Sequence, residues 1–160
     1  MTKWVVNSSP IIVLSRLALL DIIDLLVPDV LVPFGVVQEV QAGSSGNLAS
    51  KWLSGIVRDR VVQVPVIHPV IAGWDLGRGE SEVLTWSYEN EGRGVILDDL
   101  AARKCAASLG MPIRGTVGLL VSAKRHGLIA KLGPVLDSLP GTGFHISQAL
   151  IDEAKRLGDE

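Results

Sequence analysis

Short apolar segments alternate with longer segments of helical periodicity, and this alternation constrains the fold more than any other feature of the chain. Trp4–Val6 is an apolar segment that precedes "NSSP", and "GVILDD" at 94–99 is the clearest one after it. Apolar runs of this length are typical of strands buried on both faces. Strands that alternate with helices predict a parallel sheet with right-handed crossovers. We therefore expect an α/β protein, a three-layer α/β/α sandwich with a mainly parallel sheet.

The other elements are predicted from the same patterns. Further strands are expected at 29–33, 60–67 and 111–115, and Pro65 argues that the second of them ends there. Residues 68–79 are expected to be irregular. The 160 residues suffice for one domain with a sizeable core, over 1–160. Helices are expected from Pro10, at 17–26, 33–43, 48–56, 79–92, 100–110, 116–127 and 131–139, and from Ser147 onward.

Composition excludes several classes of protein. A net charge of -2 gives no global basic signature for nucleic acid, although a local basic patch remains open. The single Cys105 excludes an intrachain disulfide and a cysteine-based zinc site, and its spacing favours core packing. No apolar run is long enough to span a membrane, and no signal peptide is evident, so we expect no membrane association and a cytoplasmic location.

Polar side chains stand where the predicted strands end or the helices begin. Asn7 ends the first strand, and Asp98 and Asp99 end the strand "GVIL". Glu80 lies in a first helical turn, and Glu39 lies beside an apolar helical stripe. In open α/β sheets the functional crevice lies beyond the carboxyl ends of the strands. Oxygen side chains that converge there would bind a hard cation such as magnesium, which can activate a water.

Each of these residues also has an ordinary structural interpretation. Asn7 could be a turn or cap residue. The two aspartates could be an N-cap and a first-turn residue. Glu80 and Glu82 could simply face a helix dipole, and Glu39 could be solvated. Composition and periodicity do not show that these side chains converge.

Six motifs follow one another along the chain: "VVNSSPII", "VPFGVVQEV", "LGRGESEVL", "VILDDLAARKCAASLG", "IRGTVGLLVSAKRHGLI" and "GFHISQALIDEA". This ordered set resembles the PIN-domain ribonucleases over essentially the whole chain. The resemblance is narrower to the VapC-like branch, which has a Gly-Thr-x-Gly-Leu-Leu segment after its last acidic motif. It implies a metal-dependent endoribonuclease with an acidic cluster on an α/β/α sandwich.

The resemblance assigns roles to residues of the first half of the chain. The family's first aspartate falls on Asn7, whose amide oxygen can still coordinate magnesium but brings no negative charge. Ser8 occupies the small hydroxyl position that follows, where it would contact RNA. The helix glutamate of the family falls on Glu39, which would bind the metal.

Four acidic residues farther along the chain complete the implied site. The third acidic position falls on Glu80, with Glu82 as a weaker choice. The aspartate after the fourth strand falls on Asp99, and Asp98 is its acidic neighbour. The residues that the resemblance implies to be catalytic are Asn7, Glu39, Glu80 and Asp99. The implied metal ligands are Glu39, Glu80, Asp98 and Asp99.

The function expected from this resemblance is that of a toxin–antitoxin ribonuclease. Mg²⁺ or Mn²⁺ would activate a water that attacks an RNA phosphodiester bond. Arg103 and Lys104 would contact the RNA, although a solvated helix surface explains them equally well. A homodimer and an antitoxin partner are implied by resemblance alone. The alternative is a catalytically weak PIN-like module that binds RNA or a protein without cleavage, for which Asn7 is the best support.

Overall fold

The computed structural model describes residues 2–43, 46–56 and 58–160, and within them five parallel strands form the sheet. Strand β1 pairs with β4, and β4 pairs with β5. Strand β2 pairs separately with β3, and a parallel bridge between Val5 and Leu31 joins the two groups. The order is therefore β3-β2-β1-β4-β5. The strands are β1 (Lys3–Val6), β2 (Val32–Pro33), β3 (Val61–Val62), β4 (Arg93–Ile96) and β5 (Ile113–Arg114).

Helices surround this sheet and confirm the predicted α/β/α architecture. They are α1 (Ser8–Arg16), α2 (Asp21–Leu26), α3 (Phe34–Ala42), α4 (Gly46–Gly55), α5 (Pro69–Ala72), α6 (Arg78–Glu89), α7 (Leu100–Ser108), α8 (Thr116–Arg125), α9 (Leu132–Ser138) and α10 (Gln148–Leu157). Helix α6 packs on β1, β2 and β4 and contacts α3 and α7, whereas α8 contacts α1, α2, α9 and α10. None of the helices in the described ranges has the length and apolar character that a bilayer crossing requires.

The core is aliphatic because the buried strands supply valine, leucine and isoleucine rather than aromatic rings. Val5, Val6, Val95 and Ile96 are fully buried at the centre of the sheet. Their burial stabilises the fold by roughly 1.5–3 kcal/mol for each side chain. Because β1 and β4 are parallel and in register, with Val6 opposite Ile96, both strands end at the same edge.

Two predictions for the middle of the chain are wrong. Residues 68–79 are not irregular throughout, because α5 lies there: Pro69 occupies its first turn, and the His68 ring accepts a hydrogen bond from the Val70 N–H. One turn is too short for periodicity to reveal. The strand predicted over 60–67 is only two residues long, because β2, its partner, is itself only two residues long.

Candidate active site

Asn7 lies at the edge where β1 ends and α1 begins. Its backbone N–H donates to the Ile96 carbonyl at 2.9 Å, which places the residue beside the end of β4. Its side chain is 1% exposed and makes no capping hydrogen bond to α1. Instead Nδ2 donates to Oε1 of Glu80 at 3.2 Å. Asn7 is therefore the N-cap residue of α1 by position, as the cap interpretation predicted, but its side chain supplies no capping hydrogen bond.

The other end of the same amide differs. Oδ1 of Asn7 is buried and accepts no hydrogen bond from the residues that the structure describes. An unsatisfied buried acceptor costs about 1–3 kcal/mol. A Cβ at Gly79 would lie 2.9 Å from this Oδ1 and 2.5 Å from Oε2 of Glu39, so both oxygens lie against the same glycine. A buried acceptor beside a carboxylate suits a cation.

Glu39 is held from two directions and is not a freely solvated helix residue. The Ser8 hydroxyl donates to its Oε2 at 2.9 Å, and the Gly79 N–H donates to its Oε1 at 2.8 Å. The close approach of α3 to the first turn of α6 requires glycine at position 79. These contacts fix the Glu39 carboxylate behind Asn7.

Asp98 and Asp99 follow β4 and differ in their surroundings. Both oxygens of Asp98 are engaged: the Thr116 N–H donates to Oδ1 at 2.8 Å, and the hydroxyls of Thr116 and Ser9 donate to Oδ2 at 2.6 and 3.1 Å. Asp99 is exposed, and its Oδ2 accepts from the Ala102 N–H at 2.9 Å as the N-cap of α7. The capping interpretation is thus confirmed for Asp99, whose carboxylate is still open to solvent.

These groups meet in a cavity of about 430 Å³, which we call the acidic crevice. Asn7, Glu80, Asp98 and Asp99 line it, and Ser8 lies on its wall. Glu39 is joined to it through Ser8 and through the Gly79 contact with Asn7. The structure therefore brings the residues that were predicted to act in catalysis or metal binding to one region. In the described ranges, however, no group of three or more acidic, histidine or cysteine side chains is placed to hold a single ion.

The oxygen atoms that could act as ligands at this edge suit a hard divalent cation. The crevice offers carboxylate oxygens and one amide oxygen that has no hydrogen-bond donor. Oxygen ligands of this kind suit Mg²⁺ and Mn²⁺, which also keep several waters when bound. The unpartnered Oδ1 of Asn7 is the observation on which this fit depends.

Glu82 has a structural role. Its side chain is 3% exposed, accepts from the Gly35 N–H at 3.1 Å and pairs with Arg78 at 2.8 Å. Removing a partner from a buried charge is costly, so this carboxylate is committed to joining α3 to α6. Glu80, two residues earlier, is the one that faces the crevice.

The predicted RNA contacts are placed unequally. Ser8 lines the acidic crevice and bonds to Glu39. Arg103 lies beside Asp98: a Cβ at Gly115 would be 2.5 Å from Nη1 of Arg103 and 3.0 Å from Oδ1 of Asp98. Lys104 is exposed on α7 outside the lining of the crevice.

Several residues of the site were not predicted from the sequence. Gly79 and Ser9 carry no periodic signal, and their roles depend on contacts between distant segments. Thr116 lies in the Gly-Thr-x-Gly-Leu-Leu segment, which could have identified it as a partner of Asp98. Arg16 lines the crevice, and its Nη1 donates to the Thr142 carbonyl at 2.6 Å.

A family model, DUF3368, described as a PIN domain, matches residues 3–160. No curated protein and no solved structure matches the chain. PIN domains have a nuclease-type fold, are generally nucleases and typically use divalent metal ions. Nucleic-acid binding is the general property that such a domain implies.

Proposed function

The chain belongs to the PIN-domain family, and we propose on this premise that it is a metal-dependent endoribonuclease resembling the toxin of a type II toxin–antitoxin pair. Its substrate is RNA, its metal is Mg²⁺ or Mn²⁺, and it acts in the cytoplasm as a homodimer that binds an antitoxin. The observation that supports the proposal best is the buried, unpartnered Oδ1 of Asn7 beside two carboxylates.

We assign distinct tasks to the residues of the acidic crevice. Glu39, Glu80, Asp98 and Asp99 hold the metal, and Asn7 adds a neutral oxygen. When bound, the metal supplies an activated water and offsets charge that develops on the phosphodiester. Asp98 is the most constrained of the four carboxylates, because its three hydrogen bonds fix both of its oxygens.

The remaining residues position these groups or the substrate. Ser8 and the Gly79 N–H orient Glu39, and Nδ2 of Asn7 orients Glu80. Preorganised polar groups of this kind lower the cost of reorganisation during reaction. Arg103 and the exposed Lys104 contact the RNA backbone.

A second candidate is a module that binds RNA or a protein partner without cleaving RNA. Two observations favour it. Asn7 brings no charge to the position where the family usually has an aspartate, and Asp99 already caps α7. A site with fewer free carboxylates attracts a divalent ion less strongly.

RNA cleavage by the purified protein with Mn²⁺ or Mg²⁺ tests the proposal, and Glu80→Gln is the informative variant. Glutamine keeps an oxygen that accepts from Nδ2 of Asn7 but removes one negative charge. We expect cleavage to fall by about 100-fold, the scale of losing one preorganised electrostatic contact. Glu89→Gln makes the same change at an exposed position at the end of α6 and should cleave like the parent. Absence of cleavage by the parent protein would favour the binding module.

A further inference from the structure

A second cavity continues from the acidic crevice. It has a volume of about 600 Å³ and shares Asp98, Phe144 and His145 with the crevice. The two cavities therefore form one groove. Carboxylates line the part that is the acidic crevice, and other groups line the second part. A volume of this size falls within the range of ordinary small-ligand sites. We call the second cavity the basic cavity.

Two arginine residues, Arg103 and Arg114, line the basic cavity. Arg103 borders it next to Asp98, on the side that faces the crevice. Arg114 is held by stacking, with its Cζ 4.5 Å from the centroid of the Trp4 ring. The lining also includes Glu153, whose charge is offset because it pairs with Arg156 at 2.6 Å. The mouth of the basic cavity, where it meets the acidic crevice, thus suits the binding of an anion.

The remaining wall of the basic cavity is apolar. Leu150 and Leu157 of α10 are 43% and 41% exposed at this wall, although the same helix buries Ala154. Phe144 stands half-buried at the border between the two cavities. An apolar wall, an aromatic ring and a guanidinium together suit a nucleotide, which combines a planar base with a phosphate.

The segment that carries Phe144 is fixed in place. Arg16 donates to the Thr142 carbonyl at 2.6 Å, and the Thr142 hydroxyl donates to the Leu139 carbonyl at 2.6 Å. Gly143 then turns the chain with φ of 87°, a left-handed conformation that glycine adopts without strain. Phe144 is therefore presented to the groove by a held turn.

We propose that the basic cavity binds the nucleotide next to the scissile phosphate, with its base stacked on Phe144 and its phosphate on Arg103. Phe144 thereby holds the base that flanks the cut, whichever base it is. The inference rests on the proposed function for the position of the scissile phosphate, but binding of the base is measurable without cleavage. The other occupant that the apolar wall could take, a helix of a protein partner, is an outcome of the test.

The test measures binding of fluorescein-labelled hexaadenylate to the intact chain in EDTA, by anisotropy at one fixed salt concentration. A hexamer of abasic ribose phosphates serves as the probe without bases. We expect Phe144→Leu to bind hexaadenylate about tenfold more weakly than the parent, which is the scale of one lost stacking contact. The variant should bind the abasic hexamer with the same affinity as the parent. Trp74→Leu is the matched control, because Trp74 is an exposed aromatic residue that lines neither cavity.

A second pair of variants keeps the test decisive if Phe144→Leu folds poorly. Arg103→Gln should weaken binding of both probes, and titrations repeated at several salt concentrations should show a salt slope smaller by about one. Arg58→Gln, at an exposed arginine away from the groove, should not.

The outcomes separate this inference from the proposed function. If Phe144→Leu prefers hexaadenylate to the abasic probe as strongly as the parent does, the inference is overturned. The same holds if the parent binds neither probe, which would favour a protein helix as the occupant. Binding that depends on Phe144, in a protein that does not cleave RNA with Mn²⁺, would support this inference and refute the nuclease. RNA cleavage by a protein whose binding does not depend on Phe144 would refute this inference and support the nuclease.

Discussion

Asn7 and Glu80 are 73 residues apart in sequence, and their side chains meet at 3.2 Å where β1 ends and α6 begins. The contact sets the direction of the Asn7 amide. Because Nδ2 faces the Glu80 carboxylate, Oδ1 points toward Gly79 and Glu39, where it is buried without a donor. The neutral residue at this position thus donates to one carboxylate and leaves an oxygen available beside a second one.

Replacing Asn7 by aspartate should strengthen metal binding. The change adds one negative charge with nearly the same shape, in a crevice where Coulomb attraction is weakly screened. We expect the affinity for Mg²⁺ or Mn²⁺ to rise by about tenfold, or 1.4 kcal/mol, by isothermal titration of both proteins. Equal affinities would mean that Asn7 is structural.

The same variant should be less stable without metal. Aspartate at position 7 loses the N–H that donates to Glu80 and places two carboxylates together. We expect the free energy of unfolding in EDTA to fall by about 1–3 kcal/mol, and saturating metal to restore much of the loss. Urea titrations with and without Mn²⁺ measure it. A loss that metal does not reverse would argue against a shared site.

Asp99→Asn should separate the role of Asp99 as a cap from its role in cleavage. Asparagine is as good an N-cap as aspartate and can still accept from the Ala102 N–H, so only the favourable interaction with the helix dipole is lost. We expect a stability loss of at most about 1 kcal/mol together with loss of metal-dependent RNA cleavage. Asp137→Asn, at an exposed position of α9, is the control for both measurements. Retained cleavage would contradict the assignment of Asp99.

Gly79→Ala should damage the site although alanine favours helices. The new Cβ would lie 2.5 Å from Oε2 of Glu39 and 2.9 Å from Oδ1 of Asn7, so one of them must move. We expect the free energy of unfolding to fall by about 1–3 kcal/mol and metal affinity to fall with it.

The control for Gly79→Ala is Gly118→Ala. Gly118 lies at the start of another helix, and a Cβ there meets nothing within 4 Å. Thermal unfolding should show a gain of up to about 1 kcal/mol for this variant, as helix propensity predicts. A similar gain in Gly79→Ala would show that the close approach to Glu39 is unimportant.

Glu160 should make stability depend on pH in the acidic range. Its carboxylate accepts from the N–H groups of Leu132 and Gly133, at the start of α9, and lies 3.5 Å from Lys124. The hydrogen bond from Leu132, then that from Gly133 and the charge of Lys124, lower the pKa of this carboxyl below its ordinary 4.5. Because the folded-state pKa is the lower one, its contribution is fully present above pH 4.5 and is lost as the pH falls through the folded value.

Thermal unfolding of the parent and of Glu160→Gln as a function of pH measures this contribution. The difference in Tm between the two proteins should be constant above pH 5 and shrink as the pH falls below 4.5. Glu91→Gln, at an exposed carboxylate, should keep the pH dependence of the parent. A difference that does not change with pH would mean that the charge of Glu160 is unimportant.

The sequence predicted the sheet and most helices because their signals are local. Apolar runs, helical periodicity and Ser147, which caps α10 by accepting from the Leu150 N–H, all lie within single segments. Helix α5 was missed and β3 was predicted too long, because one turn or two residues carry no period. Their lengths depend on neighbours that the sequence does not show.

The site was predicted in its residues but not in their contacts. Asn7, Glu39 and Glu80 could be identified from strand ends and helix starts, together with a family resemblance. The preference for Glu80 over Glu82 came from the resemblance alone, since the physical reason is that Glu82 contacts Gly35 and Arg78. Nor could the sequence show that Gly79 lies against two oxygens of the site.

At the end of β1, successive backbone N–H groups donate to the segments on its two sides. The Val6 N–H donates to the Leu31 carbonyl at 3.0 Å on one side, and the Asn7 N–H donates to the Ile96 carbonyl at 2.9 Å on the other. These protons exchange with solvent only when β1 separates from its neighbours, so they belong with the slowest-exchanging amides of the chain. In the Thr142–His145 rim, by contrast, Gly143 and His145 are exposed. When a ligand enters the groove, deuterium uptake should therefore change at this rim. The amides of Val6 and Asn7 beneath it should stay protected with and without the ligand.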